Sequence, residues 1–261
     1  MFDITSYNKW LQTGRLGRRF WYFRSLSSTN RYLQQIDGVR LSDGLVCLTD
    51  YQTKGRGQFG RSWDSTDGEN LTFSMVFRPT SDVSLQLISL TAMLAMNETI
   101  KNTISCDSKI KWPNDLIVSG KKVAGMLTEC RYNGKKRDRI LVGLGVNVNQ
   151  TQFSTSIQRA AISLKQVSGG QPVDRSLLLA MFLNRLEPYY SSALDGDMEL
   201  IRSINRNIRG YGQWVSIYVD GVREQTPVKI LGINEFGCLV VLTANDEVKT
   251  YTYQQIRIED C

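Results

Sequence analysis

Residues 53–63 read Thr53-Lys54-Gly55-Arg56-Gly57-Gln58-Phe59-Gly60-Arg61-Ser62-Trp63, a run of three glycines and three cations with no acid. Glycine lets the backbone adopt conformations and close approaches that a Cβ forbids. Amide N–H groups and cations in such a loop can converge on an anion, as they do in phosphate cradles. A solvated basic loop has the same composition, so the run alone decides nothing. Its flanks say more. Residues 45–51 read as a strand running straight into the loop. Beyond the loop, Leu71, Phe73, Met75 and Phe77 alternate with smaller residues, which predicts a strand over 70–77 with one apolar face. Further on come Lys111-Trp112-Pro113-Asn114-Asp115 and Lys122-Val123-Ala124-Gly125. Here 110–112 is a short strand broken at Pro113, and 116–118 is the next. Ser119-Gly120 turns tightly into a strand over 121–130. Asn133-Gly134 is a hairpin signal, and 140–148 is a strand whose Gly143 and Gly145 open space on the sheet face.

The remaining stretches complete an α+β pattern. Residues 1–19 are polar and irregular and predict no element. Phe20-Trp21-Tyr22-Phe23 suits a strand. Ser27, Ser28, Thr29 and Asn30 are capping residues opening a helix that carries Tyr32, Leu33 and Ile36 before Gly38. The same hydroxyls and amide could serve as ligand donors. A long buried helix spans 85–100, capped by Ser81 or Ser84, with Met93 and Met96 in the core. Successive hairpins among five or six strands between 20 and 150 predict a mixed, largely antiparallel sheet rather than a βαβ array. Residues 149–160 read as a mobile loop. Asp174 caps a helix through Leu177, Leu178, Met181, Phe182 and Leu186, and a second helix covers 197–206. After a linker at 207–212, four short strands (214–219, 228–233, 238–243, 248–253) with turns at Asp220-Gly221, Glu235-Phe236-Gly237 and Asn245-Asp246 suggest a small barrel. The expected domains are 1–208 and 209–261.

The chain has 261 residues, 41% hydrophobic and 22% charged, enough for a sizeable core. Net charge is +7, from 32 basic and 25 acidic residues, which suits an anionic partner without choosing one. The basic cluster at 135–139 reads as a solvated hairpin tip; another lies at 15–19. There is no histidine, so a Ser-His or Cys-His nucleophilic pair is impossible within the chain. The five cysteines (Cys47, Cys106, Cys130, Cys238, Cys261) are dispersed, against a disulfide framework or a structural zinc site. Cys47, Cys130 and Cys238 lie in apolar runs and read as small core residues. No signal peptide is evident, and no apolar run approaches the roughly 20 residues of a membrane helix. A cytoplasmic protein without a membrane partner is expected.

Taken together, these motifs resemble one family. GRGQFGRSW is similar to the GRGRxGRxW signature of biotin protein ligases. KWPND is similar to their second signature. Lys122-Val123-Ala124-Gly125 resembles the segment bearing their key lysine, and Gly143 to Asn147 (GLGVN) the glycine-rich strand after it. Ser28-Thr29-Asn30 and Gln52 fall in the matching order, and the C-terminal strands resemble that family's SH3-like domain. The resemblance covers residues 20–261. It implies the class II synthetase-like fold of biotin and lipoate ligases and a two-step reaction. Biotin is activated with ATP and Mg2+ to biotinyl-5′-AMP, then transferred to a lysine of a biotin carboxyl carrier domain.

Residue roles follow from the resemblance. Lys122 bridges the biotin carboxylate and the α-phosphate. Arg56 holds biotin under the folded loop, and Arg61 lies near phosphate. Asp115 steers magnesium or the attacking amine. Ser28, Thr29, Asn30 and Gln52 hydrogen-bond the fused urea ring. Gly55 and Gly57 belong to the biotin loop; Trp63 packs along the ligand, and Gly125, Gly143 and Gly145 make room for it. Gln58, Lys111, Asn114 and Asn147 fall on the ATP or adenylate side. Gln58 departs from the family arginine that retains the adenylate, which implies faster escape of biotinyl-AMP than from a Gln58→Arg chain. Residues 1–19 are too few for the winged helix-turn-helix of repressor-type members, so no operator DNA binding is expected. The oligomeric state implied is monomer or homodimer. Two other readings compete. Lipoate or octanoate ligases share the fold but lack the paired GRG and KWPND arrangement. A nucleic-acid-binding module would use the net charge, the basic loop and the aromatics, yet the aromatics sit in strand patterns instead of alternating with basic residues.

Overall fold

Alternating apolar and small residues build a sheet, and the long apolar helices cover it. The computed structural model describes residues 1–79 and 81–259. In chain order the elements are α1 (Ile4–Trp10), β1 (Phe20–Leu26), α2 (Thr29–Gln35), β2 (Val46–Gln52), β3 (Leu71–Phe77), α3 (Leu85–Ile104), β4 (Ser108–Lys111), β5 (Asp115–Val118), β6 (Lys121–Asn133) and β7 (Lys136–Val146). Then follow α4 (Leu164–Val167), α5 (Arg175–Leu194), α6 (Met198–Asn207) and seven short strands: β8 (Trp214–Val215), β9 (Ile217–Val219), β10 (Val222–Arg223), β11 (Val228–Ile233), β12 (Leu239–Leu242), β13 (Val248–Tyr251) and β14 (Ile256–Ile258).

The first seven strands form one mixed sheet in the order β1-β2-β3-β7-β6-β5-β4. Only β1–β2 is parallel; the other neighbours are antiparallel, as the hairpin signals require. Leu71, Phe73, Met75 and Phe77 of β3 enter the main core, which also holds the apolar residues of α3 and α5. The small residues between them are also covered, so all seven positions of β3 are buried. On that second face Val76 joins Leu33, Leu41, Leu45, Cys47 and Leu141 in a separate cluster under α2. Ser84 caps α3, accepting from Leu87 N–H, and Asp174 and Asp197 cap α5 and α6.

Five expectations are corrected. Residues 1–19 contain α1, held to α5 by Asp3 N–H donating to Ser176 Oγ and by buried Phe2, Tyr7, Leu11 and Leu16. Seven residues give too little period to read. The basic cluster 135–139 is not wholly solvated. Arg139 is 1% exposed and donates to the carbonyls of Leu33 and Ile36, where the end of α2 leaves them unpaired. Cys130 and Cys238 are half-buried; Cys47 alone of the three is fully enclosed. The segment 149–160 is tied to the sheet, since Lys122 N–H donates to Ala160 O at 2.7 Å and Ile162 N–H to Lys122 O at 3.0 Å. The stretch 207–212 is docked: Arg209 N–H reaches Ile110 O and Gly212 N–H reaches Ile230 O, both at 2.8 Å.

Beyond Gly212 the expected four strands are seven. Residues 214–219 divide into β8 and β9, and β10 and β14 were too short to register as periodic segments. They pair as two small antiparallel sheets, β10-β9-β14 and β13-β12-β11-β8. Trp112 Nε1–H donates to Gly237 O at 3.0 Å, and Ile233 N–H to Asn205 Oδ1 at 2.8 Å. These bonds hold the small sheets against the KWPND turn and α6. Among the described residues no helix is long and apolar enough to cross a membrane.

Candidate active site

The site forms on the α2 face of the sheet, where β6 and β7 carry glycines. Pairing of β5 with β6 shifts register between Leu116 and Ile117: Leu116 faces Ala124, but Ile117 faces Lys122. Val123 is therefore an extra residue, a bulge. In a regular strand Lys122 and Gly125 would point to opposite faces. The bulge turns Lys122 onto the same face as Asp115 and Gly125, while Val123 enters the core at 0% exposure. There Lys122 Nζ lies 2.5 Å from Asp115 Oδ1 and 5.7 Å from the centre of the Trp63 ring.

The glycines clear room for three particular side chains. A Cβ on Gly125 would lie 2.7 Å from Lys122 Cε, and one on Gly143 would lie 2.7 Å from Asn30 Oδ1. A Cβ on Gly145 would run into the Trp63 indole. The expectation that these glycines make room for ligand is thus refined: the freed space here holds Lys122, Asn30 and Trp63. Gly55 is required for a similar reason, since its Cβ would meet Trp63 O at 2.5 Å.

At one end of the site the polar groups have fixed orientations. Ser28 begins α2 without capping it through its side chain, contrary to the plain capping reading. Instead Gln52 Oε1 accepts from Thr29 N–H at 2.8 Å. A backbone N–H can only donate, so Gln52 must present its oxygen there and turn Nε2 toward the loop at Gly55. Asn30 Nδ2 donates to Leu127 O at 3.1 Å and to Glu129 Oε2 at 2.7 Å, while its Oδ1 accepts from Ser74 Oγ at 2.6 Å. Among the described residues Gln52 Nε2 makes no hydrogen bond, so the wall of the cavity offers the N–H donors of Gln52 and a spare lone pair on Asn30. That pair of functions complements a neutral group with adjacent C=O and N–H.

The glycine-rich loop closes over this wall. It folds back on itself, with Trp63 N–H donating to Gly55 O at 3.0 Å and Gly57 N–H to Arg61 O at 2.7 Å. Phe59 takes a left-handed φ of 56° and stacks its ring under Arg257 of β14 at 5.2 Å. Arg56 and Gln58 line the cavity, and Arg56 pairs with Glu129 at 3.1 Å. Arg61 is exposed and is not among the residues that line the cavity. The half-open cavity measures about 50 Å3, lined also by Ser28, Thr29, Asn114 and Met126. Organic ligands occupy pockets of roughly 300–1,000 Å3, so the cavity has to widen to take one, and the loop and Trp63 form its cover. Trp63 Nε1 is buried without a hydrogen-bond partner among the described residues, which makes that placement less costly to leave.

Asn147 and Lys111 lie outside the cavity wall, whereas Asn114 is part of it. Asn147 donates to Ile162 O at 3.2 Å and Lys122 O at 3.4 Å, bracing the lysine from behind. Lys111 stands opposite Asp115 in the β4–β5 pair. Asn114 Nδ2 donates to Met126 O at 2.8 Å, stitching the KWPND turn to β6. Glu129 was not foreseen; its signal is parity, because Gly125, Leu127 and Glu129 alternate onto the site face of β6. As for a metal, no group of three or more His, Cys, Asp or Glu among the described residues could hold one. Asp115 is a single carboxylate beside a lysine. That donor set fits magnesium carried in on phosphate oxygens, which needs only one or two protein carboxylates.

A glycine-floored sheet, a cationic loop and a bulge-aimed lysine define a ligase-type site. The signature of the Biotin/lipoate A/B protein ligase family matches residues 22–147, which include all of these parts. Residues 22–147 thus carry the domain of the biotin/lipoate A/B protein ligase family. The relatives it matches include biotin ligases. It is 28% identical over 247 residues to the bifunctional ligase/repressor BirA of Bacillus subtilis, covering 93% of this chain and 75% of that one. It is 33% identical over 151 residues to the biotin–[acetyl-CoA-carboxylase] ligase of Mycobacterium tuberculosis, covering 56% of this chain and 53% of that one. The biotin protein ligase of Aquifex aeolicus, solved in complex with biotin and ATP, superposes with a TM-score of 0.80 at 26% identity, covering 94% of this chain and all of that one.

Proposed function

We infer that this chain is a biotin protein ligase. It joins biotin to ATP as biotinyl-5′-AMP and passes the biotinyl group to a lysine of the carrier domain of a carboxylase. In the first step a biotin carboxylate oxygen bonds to the α-phosphorus as the bond to the bridging oxygen breaks, releasing pyrophosphate. In the second the acceptor amine attacks the acyl carbon, AMP leaves, and the amine gives up a proton. Both substrates of the first step are anions, so fixed positive charge at their meeting point lowers the barrier. Lys122 supplies it. Its ammonium rests against Asp115 and would exchange that partner for the biotin carboxylate and α-phosphate. Asp115, so released, stands where it can receive the amine proton or meet magnesium. The ion, when bound, would neutralise phosphate charge. Gln52 and Asn30 would hold the urea, Arg56 and Trp63 would cover the biotin, and Gln58 would face the adenylate.

The single observation that carries this reading is the conjunction on one sheet face of a bulge-aimed lysine and a fixed N–H donor and acceptor suited to a cyclic urea. The free thiols of Cys47, Cys106, Cys130 and Cys238 suit a reducing cytoplasm. Pyrophosphate release on adding biotin and ATP tests the reading. Release that requires biotin is expected; release that prefers lipoate or octanoate would instead place the chain with the other branch of its family.

A further inference from the structure

We propose that Glu129 is a positioning residue that fixes the amide of Asn30 and the resting place of Arg56, and thereby makes the site select a cyclic urea over other apolar carboxylic acids. The proposal rests on the biotin-ligase reading and adds to it a specificity determinant. Glu129 sits on β6, four residues beyond Gly125 and on the same face, with its side chain 22% exposed. Its Oε2 lies 2.7 Å from Asn30 Nδ2. Its two oxygens lie 3.2 and 3.1 Å from Arg56 Nη2. One carboxylate thus joins the floor of the site to the loop that covers it.

A carboxylate is the group this junction needs. Asn30 and Arg56 both approach it as donors, and an ionised carboxylate accepts on both oxygens. An amide in its place would present one oxygen and one NH2, so one of the two donors would face another donor. With Glu129 present, both Nδ2 hydrogens of Asn30 are committed, one to Leu127 O and one to Glu129. Asn30 Oδ1 then has to face Ser74 and the cavity, where it can accept from a ligand N–H. Were the amide free to turn over, the cavity would meet that N–H with an NH2, and binding of a urea would suffer. An acid without a urea, such as lipoate, would not register the change. Glu129 does not need to touch the reacting atoms for any of this.

The test compares the wild-type chain with Glu129→Gln in pyrophosphate release, varying biotin and ATP separately and repeating the series with lipoate. KM for biotin is expected to rise about tenfold, the order of change for one charge-assisted hydrogen bond. KM for ATP and the melting temperature should hold, and the preference for biotin over lipoate should fall by a similar factor. In an Asn30→Ala background Glu129→Gln should change that preference less than about twofold, because the group it orients is gone. If Glu129→Gln does not fold, Glu129→Asp keeps the charge, shortens the reach, and should raise KM for biotin in the same selective manner. An unchanged KM for biotin overturns the proposal, as does a parallel rise in KM for ATP with a lower melting temperature, which marks a merely structural carboxylate. Wild-type chain that releases pyrophosphate without regard to biotin overturns the ligase reading, and the proposal with it; the other outcomes bear on Glu129 alone.

Discussion

The two faces of the seven-stranded sheet are made by the same strands and have opposite character. Toward α3 and α5, β3 and β7 present Phe73, Met75, Phe77, Val142 and Leu144, which pack into the main core. Toward α2 and the loop, the alternate residues of those strands include Thr72, Ser74, Gly143 and Gly145. One face gains stability by burying apolar area, on the order of 25 cal/mol per Å2. The other gives that up, removing Cβ atoms so that Asn30, Trp63 and Lys122 can approach the backbone. Stability and chemistry are separated by the thickness of one sheet, and a substitution should report on the one or the other according to the direction its side chain points.

The comparison would be broken most decisively at Lys122. Lys122→Ala should lower the rate of biotinyl-AMP formation by about a hundredfold to a thousandfold, the scale of losing one charge-stabilising group, while melting stays near wild type. A native rate of pyrophosphate release would remove the lysine from the reaction. On the opposite face, Phe77 is fully buried with its ring 4.7 Å from that of Tyr190. Phe77→Ala should destabilise by about 3–5 kcal/mol in denaturant melts, yet leave turnover per folded molecule unchanged. Equal loss of turnover would mean the faces are not independent. The smallest effect concerns Cys47, on the site face but beneath α2. Burial pushes its thiol from 9.0 up to about 12. The thiolate is the reactive form, so alkylation of Cys47 at pH 8 should be negligible beside that of half-buried Cys106, and should climb with pH until the protein unfolds. Rapid labelling at pH 8 would show that α2 opens readily.

How much of this was legible in the chain depends on whether a residue acts through local pattern or through its neighbours in space. The strand order around the glycine-rich loop followed from alternation at 71–77 and from hairpin turns at Ser119-Gly120 and Asn133-Gly134. Lys122, Arg56 and Trp63 were found because they stand inside dense motifs. Glu129 was not, since an acid on a strand looks like any solvent-facing residue until its register is known. Arg139 was misread for the complementary reason: its charge suggested solvent, whereas the carbonyls it caps lie about a hundred residues away in sequence, on α2. The short strands β10 and β14 have too few residues for a period to show. Ser28 looked like a cap by composition, and only the position of Gln52 reveals that another side chain does the capping.

The extra residue at Val123 makes the lysine's orientation a matter of counting. Iron that residue into regular pairing and every side chain from Val123 back along the strand changes sides: the ammonium would be thrust among aliphatic neighbours and a hydrophobe would be left facing the substrates. A single-residue slip in this hairpin would therefore be punished twice, by folding and by chemistry. An irregularity in the pairing of two strands is what allows one polymer to be both a stable solid and a reagent.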